Sequence, residues 1–117
     1  MSQTTGLKRK TIDKYYTVKS AVEKCMTVLK KTINIAVNDV CIEPSAGNGS
    51  FIESIKTLSS NNKFYDLEPA HKEIIQQDYL TLDHTKLLGG KIHIIGNPPF
   101  GRQSSLAIKF IKKSCIF

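Results

Sequence analysis

Hydrophobic positions along the chain switch between helical spacing and short apolar runs. After Thr17, a typical N-cap residue, apolar side chains recur every three or four positions as far as Leu29, with lysines between them. This pattern predicts an amphipathic helix of about four turns. Residues 40–42 form a short apolar run that ends at a glycine-rich loop, and helical spacing returns from Phe51 to Leu58. The segment therefore predicts a strand, a loop and a helix in succession.

The second half of the chain continues this alternation. Strands are predicted at residues 63–67, 75–80 and 91–96, with a short helix at 69–75 between the first two. A last helix is predicted from Ser104, and its apolar face contains Leu106, Ala107, Phe110 and Ile111. Alternating strands and helices predict an α/β fold, in which a parallel sheet carries helices on both faces.

Length and composition limit the possible classes. The 117 residues, 40% of them hydrophobic, suffice for one small domain. Residues 1–12 are expected to be a flexible basic arm and residues 13–117 a domain. No apolar run approaches the roughly 18 residues of a membrane-spanning helix, and the N-terminus lacks the apolar stretch of a secretory signal. We therefore expect an intracellular protein that does not contact a membrane.

Charge changes this picture because it is unevenly distributed. Of the formal net charge of +7, residues 1–31 carry +6 and residues 102–117 carry +4, whereas residues 32–101 carry −3. Basic ends suit a polyanion such as nucleic acid, and acids in the middle suit hydroxyls and amines. The alternative is that surface lysines only keep the chain soluble.

The loop 43–51 follows a predicted strand and opens a predicted helix, where open α/β sheets bind ligands. Gly47 and Gly49 allow a ligand to lie against the backbone. The loop lacks the third glycine of a dinucleotide fingerprint and the Gly-Lys-Ser/Thr of a phosphate loop. Glu43 at the strand tip therefore favours a ligand with an ammonium group rather than a pyrophosphate. An ordinary tight turn is the alternative interpretation.

Two further acids stand at the tips of the next two predicted strands. Asp66 lies 23 residues after Glu43, a spacing suited to an acid that binds ribose hydroxyls. Asp78 is placed to accept a hydrogen bond from an adenine amino group. Each acid alone would be an ordinary surface carboxylate, but three at successive strand ends favour a binding site.

Asn97-Pro98-Pro99-Phe100 follows the most apolar predicted strand. Prolines fix the backbone and lack N–H donors, so carbonyls are presented without competition. The Asn97 side-chain oxygen and the Pro98 carbonyl could accept both N–H bonds of an exocyclic amine and direct its lone pair toward an incoming methyl group. Phe100 could stack on the base. The alternative is a rigid turn with Phe100 in the core.

These residues together resemble the class I S-adenosylmethionine-dependent methyltransferases, and within them the amino-methyltransferases with an Asn-Pro-Pro-Phe/Tyr motif. The resemblance implies that S-adenosyl-L-methionine is the cofactor and that Asn97, Pro98, Pro99 and Phe100 are catalytic. The implied cofactor-binding residues belong to an N-terminal motif, to the glycine loop and to the two acids with their neighbours, and they also include Asn97. The residues of the first three groups are Tyr15, Tyr16, Thr17, Glu43, Pro44, Ser45, Ala46, Gly47, Gly49, Asp66, Leu67, Asp78 and Tyr79.

The family's fold is a Rossmann-like, seven-stranded sheet, of which this sequence supplies four predicted strands. The strand before Asn97 is expected at an open sheet edge, which a partner chain or a second copy would complete. The implied activity is methylation of the N6 amine of adenine in nucleic acid, with DNA favoured over RNA. The alternatives are methylation of a protein glutamine amide, and a non-catalytic subunit that binds cofactor or nucleic acid.

The histidines are expected to have structural roles. His93 lies between two isoleucines and is expected to be a hydrogen-bonded sheet histidine, whereas His71 and His84 have no spacing that suggests a metal site.

Overall fold

Residues 17–87, 89–99 and 104–116 are described by a computed structural model of the chain. In these residues the α/β prediction is confirmed: a parallel sheet of four strands is combined with helices. The strands are β1 (Val40–Glu43), β2 (Asn62–Asp66), β3 (Ile75–Gln76) and β4 (Ile92–Ile94), and the helices are α1 (Lys19–Thr32), α2 (Ile52–Lys56) and α3 (Ser105–Ser114). Short 3₁₀ helices cover Tyr79–Thr81 and His84–Lys86.

All pairings in this four-stranded sheet are parallel, and the strand order is β3-β2-β1-β4. The chain runs from β1 to β2 and β3 on one side, then crosses to β4 on the other side of β1. A cleft forms at the carboxyl ends of strands where the order reverses in this way. Glu43, the last residue of β1, therefore lies at that point, and β4 lies at a sheet edge as expected.

Both faces of the sheet are covered by apolar clusters. On one face, Cys41 and Phe64 pack with residues of α1 and α2, including Val22 and Ile55. On the other face, Val40, Ile42 and Tyr65 pack with Tyr79 and with Phe110 of α3. β1 is buried along its whole length because it is covered from both sides. Helices on both faces are thus confirmed.

The helix predicted at residues 69–75 is wrong, because this segment is a turn. Its backbone donors are used by tertiary and side-chain partners instead of a helical ladder: the Ala70 N–H donates to the Gly47 carbonyl, and the Glu73 N–H donates to His71 Nδ1. Glu73 also forms an ion pair with Lys56 of α2. These contacts fasten the turn to the glycine loop and to α2.

The strand predicted at residues 75–80 is much shorter than expected. After β3, the Gln77 N–H still donates to the Asp66 carbonyl, but Asp78 Oδ1 then accepts from the Leu80 N–H and caps the first 3₁₀ helix. This side-chain cap competes with continued strand pairing.

Several predicted helix details also change. α1 begins one residue later than expected, with Val18 rather than Thr17 as N-cap and no side-chain capping bond. Ile111, predicted on the apolar face of α3, is 59% exposed. All three cysteines are free thiols, of which Cys41 is buried and Cys25 and Cys115 are exposed.

The arm predicted at residues 1–12 lies outside the described residues. Within the described ranges, the helices are too short or too polar to cross a membrane.

Candidate functional site

An open cleft lies at the carboxyl ends of the strands and contains about 1020 Å³ of space including its mouth. Every element that ends at this side of the sheet contributes to its wall. The lining residues are Thr17, Glu43, Pro44, Ser45, Ala46, Gly47, Asn48, Ser50, Phe51, Asp66, Leu67, Glu68, Gln77, Asp78, Tyr79, Leu80, Asn97, Pro98, Pro99, Leu106 and Phe110.

Most residues predicted for the site thus meet in one cleft. Thr17 is half-buried at its wall, one residue before the cap of α1. Gly49 is the exception among the described residues, because it does not line the cleft. A Cβ on Gly49 would lie 2.8 Å from Ile52 Cδ1 and 3.0 Å from the His71 ring, so this glycine permits close packing behind the loop. The predicted residues Tyr15, Tyr16 and Phe100 lie outside the described residues.

The glycine loop is fastened to β2 by hydrogen bonds. The Ala46 N–H donates to the Tyr65 carbonyl (2.8 Å), and the Gly47 N–H donates to Asp66 Oδ2 (2.8 Å). Gly47 has φ +59°, a conformation that glycine adopts without steric cost. The loop therefore has a defined shape that depends on Asp66.

Asp66 uses both carboxylate oxygens for backbone donors, since Oδ1 accepts from the Glu68 N–H at 2.8 Å. Each carboxylate oxygen has more than one acceptor position, so the half-buried group can also accept from ligand hydroxyls. From the sequence, only a ligand-binding role was predicted for Asp66. The bond to Gly47 makes Asp66 a positioning residue for the loop as well.

Aromatic side chains form the floor of the cleft near Asp78. Tyr79 is buried, its hydroxyl lies 2.7 Å from Ser114 Oγ, and its ring centroid lies 5.1 Å from that of Phe110. Sequence reasoning missed Phe110 and Leu106 as cleft residues. Their helical spacing predicted a buried face of α3, but only the docking of α3 against the first 3₁₀ helix brings that face to the cleft.

Glu43 is the most unusual group in the cleft. Its side chain is 2% exposed, and Oε1 has no hydrogen-bond partner in the described part of the chain. Burial, and to a lesser extent the negative charge of Asp66, raise the pKa of Glu43 to about 9. A buried polar atom without a partner is costly, so Oε1 marks a position where a donor from a ligand would be stabilising.

Gly96 makes room for the Glu43 side chain. It has φ +152°, and a Cβ at this position would lie 2.9 Å from Glu43 Cγ and 3.3 Å from Oε2. Sequence reasoning missed Gly96, because its requirement arises from a contact between β1 and the segment after β4.

The Asn97-Pro98-Pro99 segment lines the same cleft directly after this glycine. Asn97 is exposed, whereas both prolines are half-buried. The segment lies beside Glu43, across the point where the strand order reverses. The residues predicted for chemistry and those predicted for ligand binding therefore share one cavity.

The cleft is acidic. The acids that line it within the described ranges are Glu43, Asp66, Glu68 and Asp78, and no lysine, arginine or histidine lines it there. Such a lining favours a cationic ligand and disfavours phosphate groups at this position.

His93 lies away from this cleft, as its expected structural role requires. Its Nε2 lies 2.8 Å from Asp39 Oδ2, in a pair that joins β4 to the residue before β1. Asp39 also accepts from the Ala36 and Lys91 N–H groups, both at 3.0 Å. The hydrogen bond with His93, followed by that with Ala36, lowers the pKa of Asp39. Within the described ranges, no cluster of three or more metal-binding side chains occurs.

Comparison with known proteins gives no match among family models, curated proteins or solved structures. The geometry of the cleft is therefore the basis for assigning a function.

Proposed function

We propose that the chain binds S-adenosyl-L-methionine in this cleft and acts inside the cell as a methyltransferase on the N6 amine of adenine in nucleic acid. The observation that carries the proposal is the convergence of an unpaired buried carboxyl, a glycine loop, two strand-tip acids and Asn97-Pro98 in one cavity. The sheet supports a Rossmann-like methyltransferase fold, since its order of β3-β2-β1-β4 reverses at the cleft.

The residues of the cleft fit such a cofactor. Glu43 offers its unpaired oxygen to the ammonium group, Asp66 accepts from the ribose hydroxyls, and Asp78 accepts from the adenine amino group. Leu67, Leu80, Leu106 and Phe110 provide apolar contact for the adenine ring. The acid lining matches the positive charge of the cofactor, which supplies an electrophilic methyl group when bound.

Asn97 and Pro98 hold the substrate amine. The Asn97 side-chain oxygen and the Pro98 carbonyl accept its two N–H bonds, which turns the nitrogen lone pair away from the acceptors and into the cleft. Positive charge that develops on this nitrogen is stabilised by the same two dipoles. A strong general base is not required, because the proton is lost after the nitrogen has become acidic.

The first prediction separates binding from transfer. Asp66→Asn should weaken S-adenosylmethionine binding at least tenfold in calorimetric titration, because it removes a charge and one acceptor that fixes the loop. Asn97→Ala should lose much less affinity than Asp66→Asn and should abolish methyl transfer to adenine-containing DNA, since exposed Asn97 acts mainly on the substrate amine. Equal loss of binding in both variants would contradict these roles.

A transfer assay with labelled S-adenosylmethionine identifies the substrate when DNA, RNA and a glutamine-containing protein are offered separately. Label in adenine supports the proposal, with more in DNA than in RNA, whereas label only in a glutamine amide assigns the same cleft to a protein substrate. If the wild-type chain binds no S-adenosylmethionine, the proposed function is wrong.

A second candidate is a subunit that becomes active only with a partner chain. It is favoured by the edge position of β4, the strand that leads to Asn97. Mass measurement by light scattering during gel filtration, combined with the transfer assay, tests this candidate. Cofactor binding without transfer by a monomer, and transfer on addition of a strand-completing partner, would support it.

A further inference from the structure

Glu43 stands apart from the other acids of the cleft because it is almost fully buried and one of its oxygens is unpaired. Asp66 and Asp78 are half-buried and accept backbone N–H bonds, while Glu68 is exposed. Burial of a carboxylate oxygen without a donor is unfavourable, so in the free protein the neutral carboxyl form of Glu43 is favoured.

Among the residues that the structure describes, the groups that face Glu43 do not relieve this cost. On β2, Asp66 adds negative charge, which raises the pKa further. On the segment after β4, Gly96 packs against Cγ and carries no side chain, and Asn97 is neutral. The loop after β1 contributes only uncharged side chains to the cleft, as does Thr17 before α1. The described part of the chain places no positive charge on the cleft lining, so a bound ammonium group would supply one.

We infer that the cleft is a proton-linked ammonium site, in which Glu43 releases its proton to solvent when a ligand ammonium group binds. The carboxyl O–H bond breaks, the proton passes to the buffer, and the carboxylate that remains accepts an N–H bond from the intact ammonium group. The inference rests on the proposed function and deepens it, since it adds a proton release by Glu43 to the recognition of the ammonium group.

The proton stoichiometry provides the test. S-Adenosylhomocysteine has the ammonium group but no sulfonium, whereas methylthioadenosine has neither charge and keeps the ribose and adenine. Calorimetric titration at pH 6.5 in two buffers of different ionisation enthalpy should give about one proton released for each S-adenosylhomocysteine bound and none for methylthioadenosine. Glu43→Gln should release no proton with either ligand.

The affinity of the wild-type chain gives an independent readout that does not require the variant to fold. Between pH 5.5 and 6.5, where an α-amino group with a pKa of about 7.7 stays protonated, the affinity for S-adenosylhomocysteine should rise about tenfold over the pH unit. The affinity for methylthioadenosine should stay constant over the same range.

The outcomes distinguish this inference from the proposed function. Binding of S-adenosylhomocysteine without proton release, and with an affinity that does not change with pH, would overturn the inference and leave the cofactor site standing. Failure of both ligands and of S-adenosylmethionine to bind would overturn the proposed function and the inference with it.

Discussion

Glu43 and Asp66 are acids of the same cleft, yet their surroundings give them different roles. Asp66 is held by two backbone donors and shapes the loop, whereas Glu43 is buried with one oxygen unpaired. Residue type and spacing predicted that both acids would belong to the site. The burial of Glu43 was not predictable, because it arises from the packing of the Gly96 segment against β1.

This difference makes the stability of the free protein depend on pH. The pKa of Glu43 is raised from 4.5 to about 9, so between these values the folded chain holds a proton that the unfolded chain has lost. The free energy of unfolding should therefore fall as pH rises through this window, by up to about 1.4 kcal/mol for each pH unit, relative to Glu43→Gln.

Urea unfolding of both proteins at pH 5, 6 and 7 measures this difference. Glu53→Gln on the exposed side of α2 is the matched control and should follow the wild type at each pH. Parallel stability curves for wild type and Glu43→Gln would show that Glu43 ionises normally in the folded chain.

At the scale of elements, the apolar runs predicted β1 and β4 well, because apolar side chains are needed where a strand is covered. β1 is buried along its whole length, and β4 is half-buried. The prediction failed where long-range hydrogen bonds override local preference. Residues 69–75 form a turn because Ala70 bonds to the glycine loop, and β3 is short because Asp78 caps the segment after it. Such contacts depend on residues distant in sequence, and the local pattern does not contain them.

Asp39 is the element-scale counterpart of Glu43, at the opposite end of the sheet. It connects the start of β1 to the start of β4 through Lys91 and His93. Its pKa is lowered from 3.8, so its contribution to stability is present above this pH and is lost as pH falls through the lowered value.

Asp39→Asn should accordingly lower the melting temperature at pH 7, and the difference from wild type should shrink at pH 3 and below. Asp83→Asn, at an exposed cap of the second 3₁₀ helix, is the control and should cause a smaller loss at pH 7. Losses of equal size would show that the Asp39 connection adds nothing beyond a local cap.

At the scale of the whole molecule, the basic helices lie on opposite faces of the sheet. α1 packs with Cys41 and Phe64, and α3 packs with Ile42 and Tyr65. The sequence showed basic ends but not this separation, which follows from the alternation of side chains along the strands. A single straight duplex can therefore contact only one of the two lysine surfaces at a time.

Paired variants test the consequence for nucleic acid. Lys19→Gln with Lys24→Gln changes the α1 surface, and Lys109→Gln with Lys112→Gln changes the α3 surface; all four lysines are exposed. Only one double variant should weaken DNA binding and reduce the slope of log affinity against log salt by about 2. An equal effect of both pairs would contradict binding through one face, and no effect of either would argue against helix-mediated DNA binding.

The burial of Glu43 predicts that the two proposed ligands respond differently to ionic strength. Contacts between surface lysines and phosphates are screened over a Debye length of about 8 Å at physiological salt, whereas a buried pair such as Glu43 with an ammonium group is screened much less. Added salt should therefore dissociate nucleic acid from the chain, whereas the proposed cationic cofactor should stay bound. Ionic strength alone would then separate the two binding events, and the cofactor-loaded protein would be the species that meets its substrate.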